Sequence, residues 1–157
     1  MTTRLAEVNV IDSNRYSSWG IAVFRIAVGL VFVAHGAQKL FVYGLAGTAQ
    51  GMAHMGIPLP EISAAVVAFT EFFGGLALIL GVASRLAALL LAINMAVAVL
   101  KVHLKSGFFL PAGFEYAFTL LAANVGLFLA GPGALALSSV VRRSTRTTET
   151  VQEARVA

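Results

Sequence analysis

The chain has 157 residues, of which 59% are hydrophobic and only 11% are charged, and its mean hydropathy is +0.87. A soluble domain carries about 25% charged residues, so the composition excludes an ordinary soluble protein and indicates that lipid is the solvent for much of the surface. The net charge is +4 and there is no cysteine, which excludes disulfides, thiol redox chemistry, Cys-ligated zinc and iron–sulfur clusters.

The N-terminal stretch, residues 1–18, is polar and contains Glu7 and Asp12. A cleaved secretory signal would start basic and become apolar at once, so we expect residues 1–18 to be a tail. Four apolar segments follow, each near the roughly 20 residues that a spanning helix needs. They are Trp19–Phe41, Ile62–Gly81, Arg85–His103 and Tyr116–Ala136. The runs show no alternation, which argues against strands. The sequence therefore predicts an all-α fold, a four-helix transmembrane bundle in antiparallel up-down order over residues 19–140.

The connections support this order. The Gly-rich stretch after the first segment predicts one interfacial helix near Thr48–Met55, with Thr48 as its N-cap. The next link is four residues long, and we expect Gly81 to end one helix and Ser84 to cap the next. Gly131-Pro132-Gly133 should close the last helix, because helices rarely continue through proline.

The basic residues predict the orientation. Residues 141–157 form a basic tail rich in Ser, Thr and Arg, which we expect to be disordered. Its arginines share one side of the predicted bundle with Arg15 and Arg85, while Lys39 and Lys101 lie on the other side. Arginine and lysine accumulate in cytoplasmic loops, so both termini are predicted to be cytoplasmic. This placement is typical of topology signals and of contact with anionic lipid, so nucleic acid is not expected as a partner.

Glu71 is the one charged residue in the apolar run Ile62–Gly81. A carboxylate at such a depth costs about 3 kcal/mol on insertion scales, so we expect a partner for it. Arg25, His35 and Lys39 on the first segment are candidates. At about 1.5 Å per residue, the depth of Glu71 fits His35 or Lys39 better than Arg25. We predict that Glu71 and His35 are catalytic, while a purely structural ion pair remains the alternative for Glu71.

The last two segments add polar residues at the same level. His103 ends the third segment and Glu115 begins the fourth, so we predict that both bind ligand together with Arg25 and Lys39. Glu115 also has a structural interpretation, since a carboxylate in a first helical turn complements the helix dipole. Three further polar residues are predicted to be structural, namely Asn94 and Asn124, hydrogen-bonded to each other, and Arg85.

Cofactor motifs are absent from the sequence. A metal bound by His35, Glu71 and His103 would need ligands from three helices, and no ligand spacing supports it, so no metal site is predicted. Haem is not expected either, because His35 and His103 match in depth only loosely. The cofactor therefore stays unknown at this point.

Short motifs in order resemble the DoxX family of small membrane proteins, with DoxD as a related group. The first segment carries Arg25, Val28-Gly29-Leu30, His35-Gly36 and Lys39-Leu40, and the second carries Glu71-Phe72-Phe73-Gly74-Gly75 before Ser84-Arg85. His103, Gly107-Phe108-Phe109, Glu115 and Gly131-Pro132-Gly133 complete the set. The resemblance covers about residues 19–138. One departure is that Leu137-Ser138-Ser139 lacks the acidic residue with which the family pattern often continues.

The resemblance implies a four-helix protein of the bacterial inner membrane that acts as an oxidoreductase component. It would work with quinone, or with soluble or membrane redox partner enzymes, through the buried polar site. Two alternatives stay open, a non-enzymatic anchor or assembly factor for redox proteins and a small proton-coupled transporter. The expected partners are membrane lipid, redox proteins and a second copy of the chain.

Overall fold

The structure, a computed structural model, describes residues 2–137, with side chains described from Arg15 onward. This part of the chain is helical and contains no strand, which confirms the all-α prediction. The basic tail predicted for residues 141–157 lies outside the described residues. The helices are α1 (Thr2–Ala37, continued by a π-helical turn Gln38–Val42), α2 (Gly44–His54), α3 (Pro60–Leu80), α4 (Ser84–Val97, continued by a π-helical turn Ala98–His103 and a 3₁₀ turn Leu104–Ser106) and α5 (Glu115–Ala130).

Three of these helical stretches are long and apolar enough to cross a membrane by length and composition. They are Arg15–Val42, Pro60–Leu80 and Ser84–Ser106. The fourth predicted crossing is shorter than expected: α5 has 16 residues and ends at Ala130, because the chain turns at Gly131 with a φ of 84°. At the other terminus, α1 runs without a break through residue 18, where the sequence shows a change from polar to apolar composition.

Two predicted helix caps are wrong. Thr48 lies inside α2, and its hydroxyl donates to the carbonyl oxygens of Gly44, at 2.9 Å, and of Lys39, at 3.2 Å. Ser84 is the first residue of α4 and makes no side-chain cap. In both cases the helix begins without the serine or threonine because a residue with positive φ, Gly44 or Ala83, sets the start. Gly81 does end α3, as predicted, with a φ of 71°.

Glycines let α1 and α3 pack closely. A Cβ atom on Gly36 would lie 2.4 Å from the backbone nitrogen of Phe72, and one on Gly75 would lie 2.7 Å from the carbonyl oxygen of Gly29. Both distances are far below van der Waals contact, so only glycine fits at these positions. Small residues at helix interfaces are how membrane helices approach one another, and this approach brings the C-terminal part of α1 against the middle of α3.

The described part of the molecule has two distinct ends. The hairpin end comprises the turn at residues 81–84, the segment at residues 131–137 and the part of α1 near Ser18, whose carbonyl accepts the Ala134 amide at 2.9 Å. The α2 end comprises α2, the π-helical turn Gln38–Val42 and the segment at residues 104–114. Between them lies an apolar core to which α1, α3, α4 and α5 contribute, with Phe32, Leu78 and Leu91 at its centre.

Candidate functional site

Glu71 is held by two side chains from neighbouring helices. The Lys39 Nζ lies 2.5 Å from Glu71 Oε2, and Asn94 Nδ2 donates to Glu71 Oε1 at 3.2 Å. The side chain of Glu71 is 5% exposed and that of Lys39 is 22% exposed. Of the two partners predicted for Glu71, His35 and Lys39, it is Lys39 that binds it, and α1, α3 and α4 each contribute one residue to this Lys39–Glu71–Asn94 cluster.

The backbone of α1 is unusual where it carries Lys39. Residues 38–42 form a π-helical turn, and the Lys39 carbonyl accepts the Thr48 hydroxyl. Isolated π-helical turns occur mostly inside α-helices and often at functional sites. The wider turn and the close approach of the helices at Gly36 together direct the Lys39 side chain towards the middle of α3.

His35 lies beside the cluster on the outside of α1. Its side chain is exposed, and its ring centroid lies 6.1 Å from that of Tyr116 on α5. Tyr116 is in turn close enough to Glu71 to interact with its charge. A shallow, open groove of about 410 Å³ lies on the surface of α1 at this point, and its lining consists of Ala34, His35, Ala37, Gln38, Phe41 and Val42. The groove is thus mostly apolar and has two polar side chains.

His103 and Glu115 lie at the α2 end but contact the connecting segment. His103 Nδ1 lies 3.0 Å from the Ala112 carbonyl oxygen, and Glu115 Oε1 accepts the Leu110 amide at 2.9 Å. Neither side chain is bonded to Glu71 in the described part of the chain. The ionisable residues that the sequence places at one level are therefore divided, with Lys39 and Glu71 in the interior, His35 on the exposed side of α1, and His103 and Glu115 holding residues 104–114.

Arg25 lies at the hairpin end and has backbone partners. Its guanidinium, fully buried, donates to the carbonyl oxygens of Leu78 and Ile79 in the last turn of α3, and to those of Ala134 and Leu135 beyond α5. The last carbonyls of a helix lack intrahelical partners, and a cation is favourable beside them. Its contacts are those of a helix cap, and its predicted ligand role stays a prediction.

The three residues predicted to be structural, Arg85, Asn94 and Asn124, differ in their contacts. Arg85 NH2 lies 3.5 Å from the Leu129 carbonyl at the end of α5. The predicted Asn94–Asn124 hydrogen bond is wrong. Asn94 bonds to Glu71 instead, while Asn124 Nδ2 donates to Leu120 in its own helix and leaves Oδ1 buried without a partner in the described structure.

Sequence reasoning missed two members of the site. The depth of Asn94 along its helix was a usable signal, but it fits Asn124 and Glu71 about equally. Tyr116 begins an apolar segment and carries no signal that distinguishes it from an interfacial aromatic residue. Within residues 15–137, no group of three His, Asp or Glu side chains is arranged to hold a metal ion.

This arrangement can bind and move a proton. Both carboxylate oxygens of Glu71 have a donor, and one donor is itself ionisable, so protonation of Glu71 would break the ion pair with Lys39. A carboxylate and a lysine within a bilayer are rare and are typical of proton relays and of ligand or ion paths.

Comparison with known proteins identifies the family that the chain resembles. The family model described as DoxX matches residues 20–104. A Bacillus subtilis protein named "Putative oxidoreductase CatD" is 34% identical over 82% of this chain and 91% of its own length. The Escherichia coli "Inner membrane protein YphA" is 30% identical over 81% of this chain and 98% of its own length. An uncharacterised Haemophilus influenzae protein is 30% identical over 80% of this chain and 92% of its own length. No solved structure matches the chain significantly.

Proposed function

This chain belongs to the DoxX family, and we propose that it is the membrane component of a redox system that handles a quinone beside the Lys39–Glu71–Asn94 cluster. The observation that carries the proposal is the buried Lys39–Glu71 pair. Replacing a buried ion pair by apolar residues is often neutral or stabilising. A membrane helix that keeps such a pair therefore has a reason other than stability, and ionisable residues at this depth are functional by default.

The groove beside His35 suits a flat, mostly apolar molecule. The groove is shallow and open, and all six lining residues belong to α1 and its π-helical turn. Small-molecule sites are typically lined by apolar side chains and a few polar ones. His35 and Gln38 provide hydrogen-bonding groups in the groove, and both lie within one turn of Lys39. A bound quinone would supply two-electron chemistry that the cysteine-free chain lacks.

The chain's own residues would then handle charge and protons. Glu71 exchanges a proton, Lys39 stabilises the Glu71 carboxylate or negative charge on the bound molecule, and Asn94 orients the carboxylate. His35 donates or accepts a hydrogen bond at the groove. His103 and Glu115 keep the segment at residues 104–114 folded over the same end. A soluble or membrane-bound redox enzyme exchanges the electrons.

The proposed setting is the bacterial inner membrane, with α1, α3, α4 and α5 crossing as a four-helix antiparallel bundle. The apolar stretches support this, as does the printed name of the E. coli relative. The hairpin end, which carries Arg15 and Arg85, would face the cytoplasm by the distribution of basic residues. Lipid headgroups would then contact Lys101 and Lys105 at the α2 end, where both side chains are exposed.

Binding of a short-chain ubiquinone or menaquinone to the purified protein tests the proposal. Calorimetric titration should give an affinity that falls at least tenfold in Glu71→Gln, because the neutral amide cannot hold Lys39 in place. The matched control is His54→Ala, which changes an exposed residue at the end of α2. Equal affinities of the wild type and Glu71→Gln would contradict the proposal and leave an anchoring role, which a pull-down of redox partners would detect.

A further inference from the structure

We infer that Glu71 exchanges its proton with one face of the membrane only, the face at the α2 end, and that the Arg25 guanidinium closes the path to the hairpin end. The inference rests on the proposed membrane crossing and on Glu71 as its proton site, and it does not depend on the identity of the bound molecule. It makes the redox step vectorial, since protons taken up or released beside Glu71 come from, or go to, one compartment.

The path to the α2 end is short and polar. The Lys39 side chain is 22% exposed and touches Glu71 directly. Lys39 is three residues from the end of the π-helical turn, which corresponds to about 5 Å along a helix axis. The exposed Gln38 begins this turn, and the exposed His35 lies one helical turn before Lys39. The partly exposed Lys39 side chain thus links the Glu71 carboxylate to the surface at this end.

The opposite direction is filled by apolar side chains. Phe32, Leu78 and Leu91 lie in the core with at most 1% of their surface exposed. Leu78 is seven residues beyond Glu71 on α3, about 10 Å along the axis. Close-packed interiors leave few voids as large as a water molecule, so this layer separates Glu71 from the hairpin end.

The apolar half also contains three buried polar atoms without a partner in the described residues, and one of them is Arg25 Nε. Ser84 Oγ, at the start of α4, and Asn124 Oδ1, on α5, both lack a hydrogen-bond partner in the described structure. Such atoms are sites where buried water is found. Asn124 is five residues before Leu129 on α5, so it lies about 7 Å deeper than that end of the molecule.

Arg25 occupies the same half of the bundle, against the last turn of α3. The guanidinium is fully buried and is fixed by the carbonyl oxygens of Leu78, Ile79, Ala134 and Leu135. A fixed positive charge in a narrow path is a barrier to protons, as arginine is in selective membrane pores. Arg25 thus serves as both a helix cap and a barrier.

The groups around Glu71 agree with access from the α2 end. Among residues 15–137, the ionisable groups that interact with it are Lys39 on α1 and Tyr116 on α5. α4 contributes the neutral Asn94. From α2, Thr48 bonds to the Lys39 backbone and does not titrate. Both ionisable neighbours therefore lie on the side of Glu71 nearer the α2 end.

An infrared titration in sealed vesicles tests the inference. The full chain is reconstituted with the internal pH held by trapped buffer while the external pH is varied. The carboxylic acid band that is present in the wild type and lost in Glu71→Gln reports protonation of Glu71. Because the chain has no cysteine, a single Lys105→Cys change and an impermeant maleimide give the fraction of molecules whose α2 end faces outward.

The part of the Glu71 band that follows external pH should equal that outward fraction. A part equal to the inward fraction, or a band that follows external pH in every molecule, would overturn the inference while leaving Glu71 as the proton site. A band independent of Glu71 would overturn both the inference and the proposed proton role.

Substitution of Arg25 provides a second arm. In Arg25→Gln the fixed charge is gone, so the Glu71 band should respond to external pH in molecules of both orientations. Arg25→Lys keeps the charge and should show the wild-type sidedness. Arg25→Gln with unchanged sidedness would contradict the barrier role of the charge. Should Arg25→Gln fail to fold, the wild-type titration and Arg25→Lys still decide the matter.

Discussion

The helix α1 and its π-helical turn carry two basic side chains, Arg25 and Lys39, that lie in different surroundings. Arg25 at the hairpin end is fully buried and donates to backbone carbonyls, and within residues 15–137 it forms no ion pair with a carboxylate. Lys39, fourteen residues later, is partly exposed and bonds to the carboxylate of Glu71. The acceptors of Arg25 cannot titrate, whereas the partner of Lys39 can. The two cations therefore differ in whether their partner can take up a proton, and the proposed function depends on the one that meets an ionisable group.

Replacing Arg25 should cause the largest loss of stability. In Arg25→Met the carbonyls of Leu78 and Ile79 lose their donor, and each buried group left unpaired costs about 1–3 kcal/mol. Thermal unfolding in detergent should show a marked drop in Tm, smaller for Arg25→Lys, which keeps the charge. An Arg25→Met protein as stable as the wild type would remove the structural half of the comparison.

Gly36→Ala should be the next most damaging change. The added methyl group would lie 2.4 Å from the Phe72 nitrogen, and overpacking of this kind costs about 1–3 kcal/mol. It should also push α1 from α3 and separate Lys39 from Glu71. Gly20→Ala is the matched control in the same helix, because its methyl group would meet nothing within 4 Å, and it should unfold at or above the wild-type temperature. Equal effects of the two changes would contradict the close packing at Gly36.

The Lys39–Glu71 pair should show coupling in a double-mutant cycle. Lys39→Met leaves a carboxylate with only the amide of Asn94, so the single change should cost more stability than the double change Lys39→Met/Glu71→Gln. Contacting residues typically couple by about 0.5–3 kcal/mol. Denaturation of the four proteins in one detergent measures the coupling, and additive effects would show that the pair does not form.

The smallest effect is expected from Glu115→Gln. Its carboxylate accepts the Leu110 amide, and such a bond contributes about 0.5–1.5 kcal/mol. Glutamine keeps an acceptor oxygen, so the change removes only the charge and weakens the bond. Hydrogen exchange should speed up at Leu110 while the Lys39–Glu71–Asn94 cluster is unaffected. A loss of quinone binding in Glu115→Gln would show that this residue belongs to the binding site rather than to the connecting segment.

The helices and the partner of Glu71 could be predicted from the sequence better than the rest of the site. Continuous apolar runs define membrane helices because lipid imposes the length, and depth along a helix was enough to select Lys39 over Arg25 for Glu71. Depth does not specify the direction in which a side chain points, so Asn94 was paired with Asn124 although it faces Glu71. The predicted proximity of His35 to Glu71 rests on the same depth argument. In the structure His35 lies on the exposed side of α1, beside Tyr116.

The starts of α2 and α4 also differ from the predictions. Thr48 and Ser84 have the right chemistry for N-caps, but a positive φ at Gly44 and at Ala83 sets where those helices begin. The role of Arg25 was also hidden, because its acceptors are backbone carbonyls from α3 and from the segment after α5. Backbone groups have no signature in composition, so only the folded arrangement identifies them.

The most direct test of the central claim compares the two ends in one assay. Quinone affinity is measured for Lys39→Met and for Arg25→Lys, with the temperature set so that both proteins are equally folded. The account predicts at least a tenfold loss for Lys39→Met and an unchanged affinity for Arg25→Lys. Equal affinities for the two variants, or a loss confined to Arg25→Lys, would contradict the assignment of the working site to the Lys39–Glu71 end.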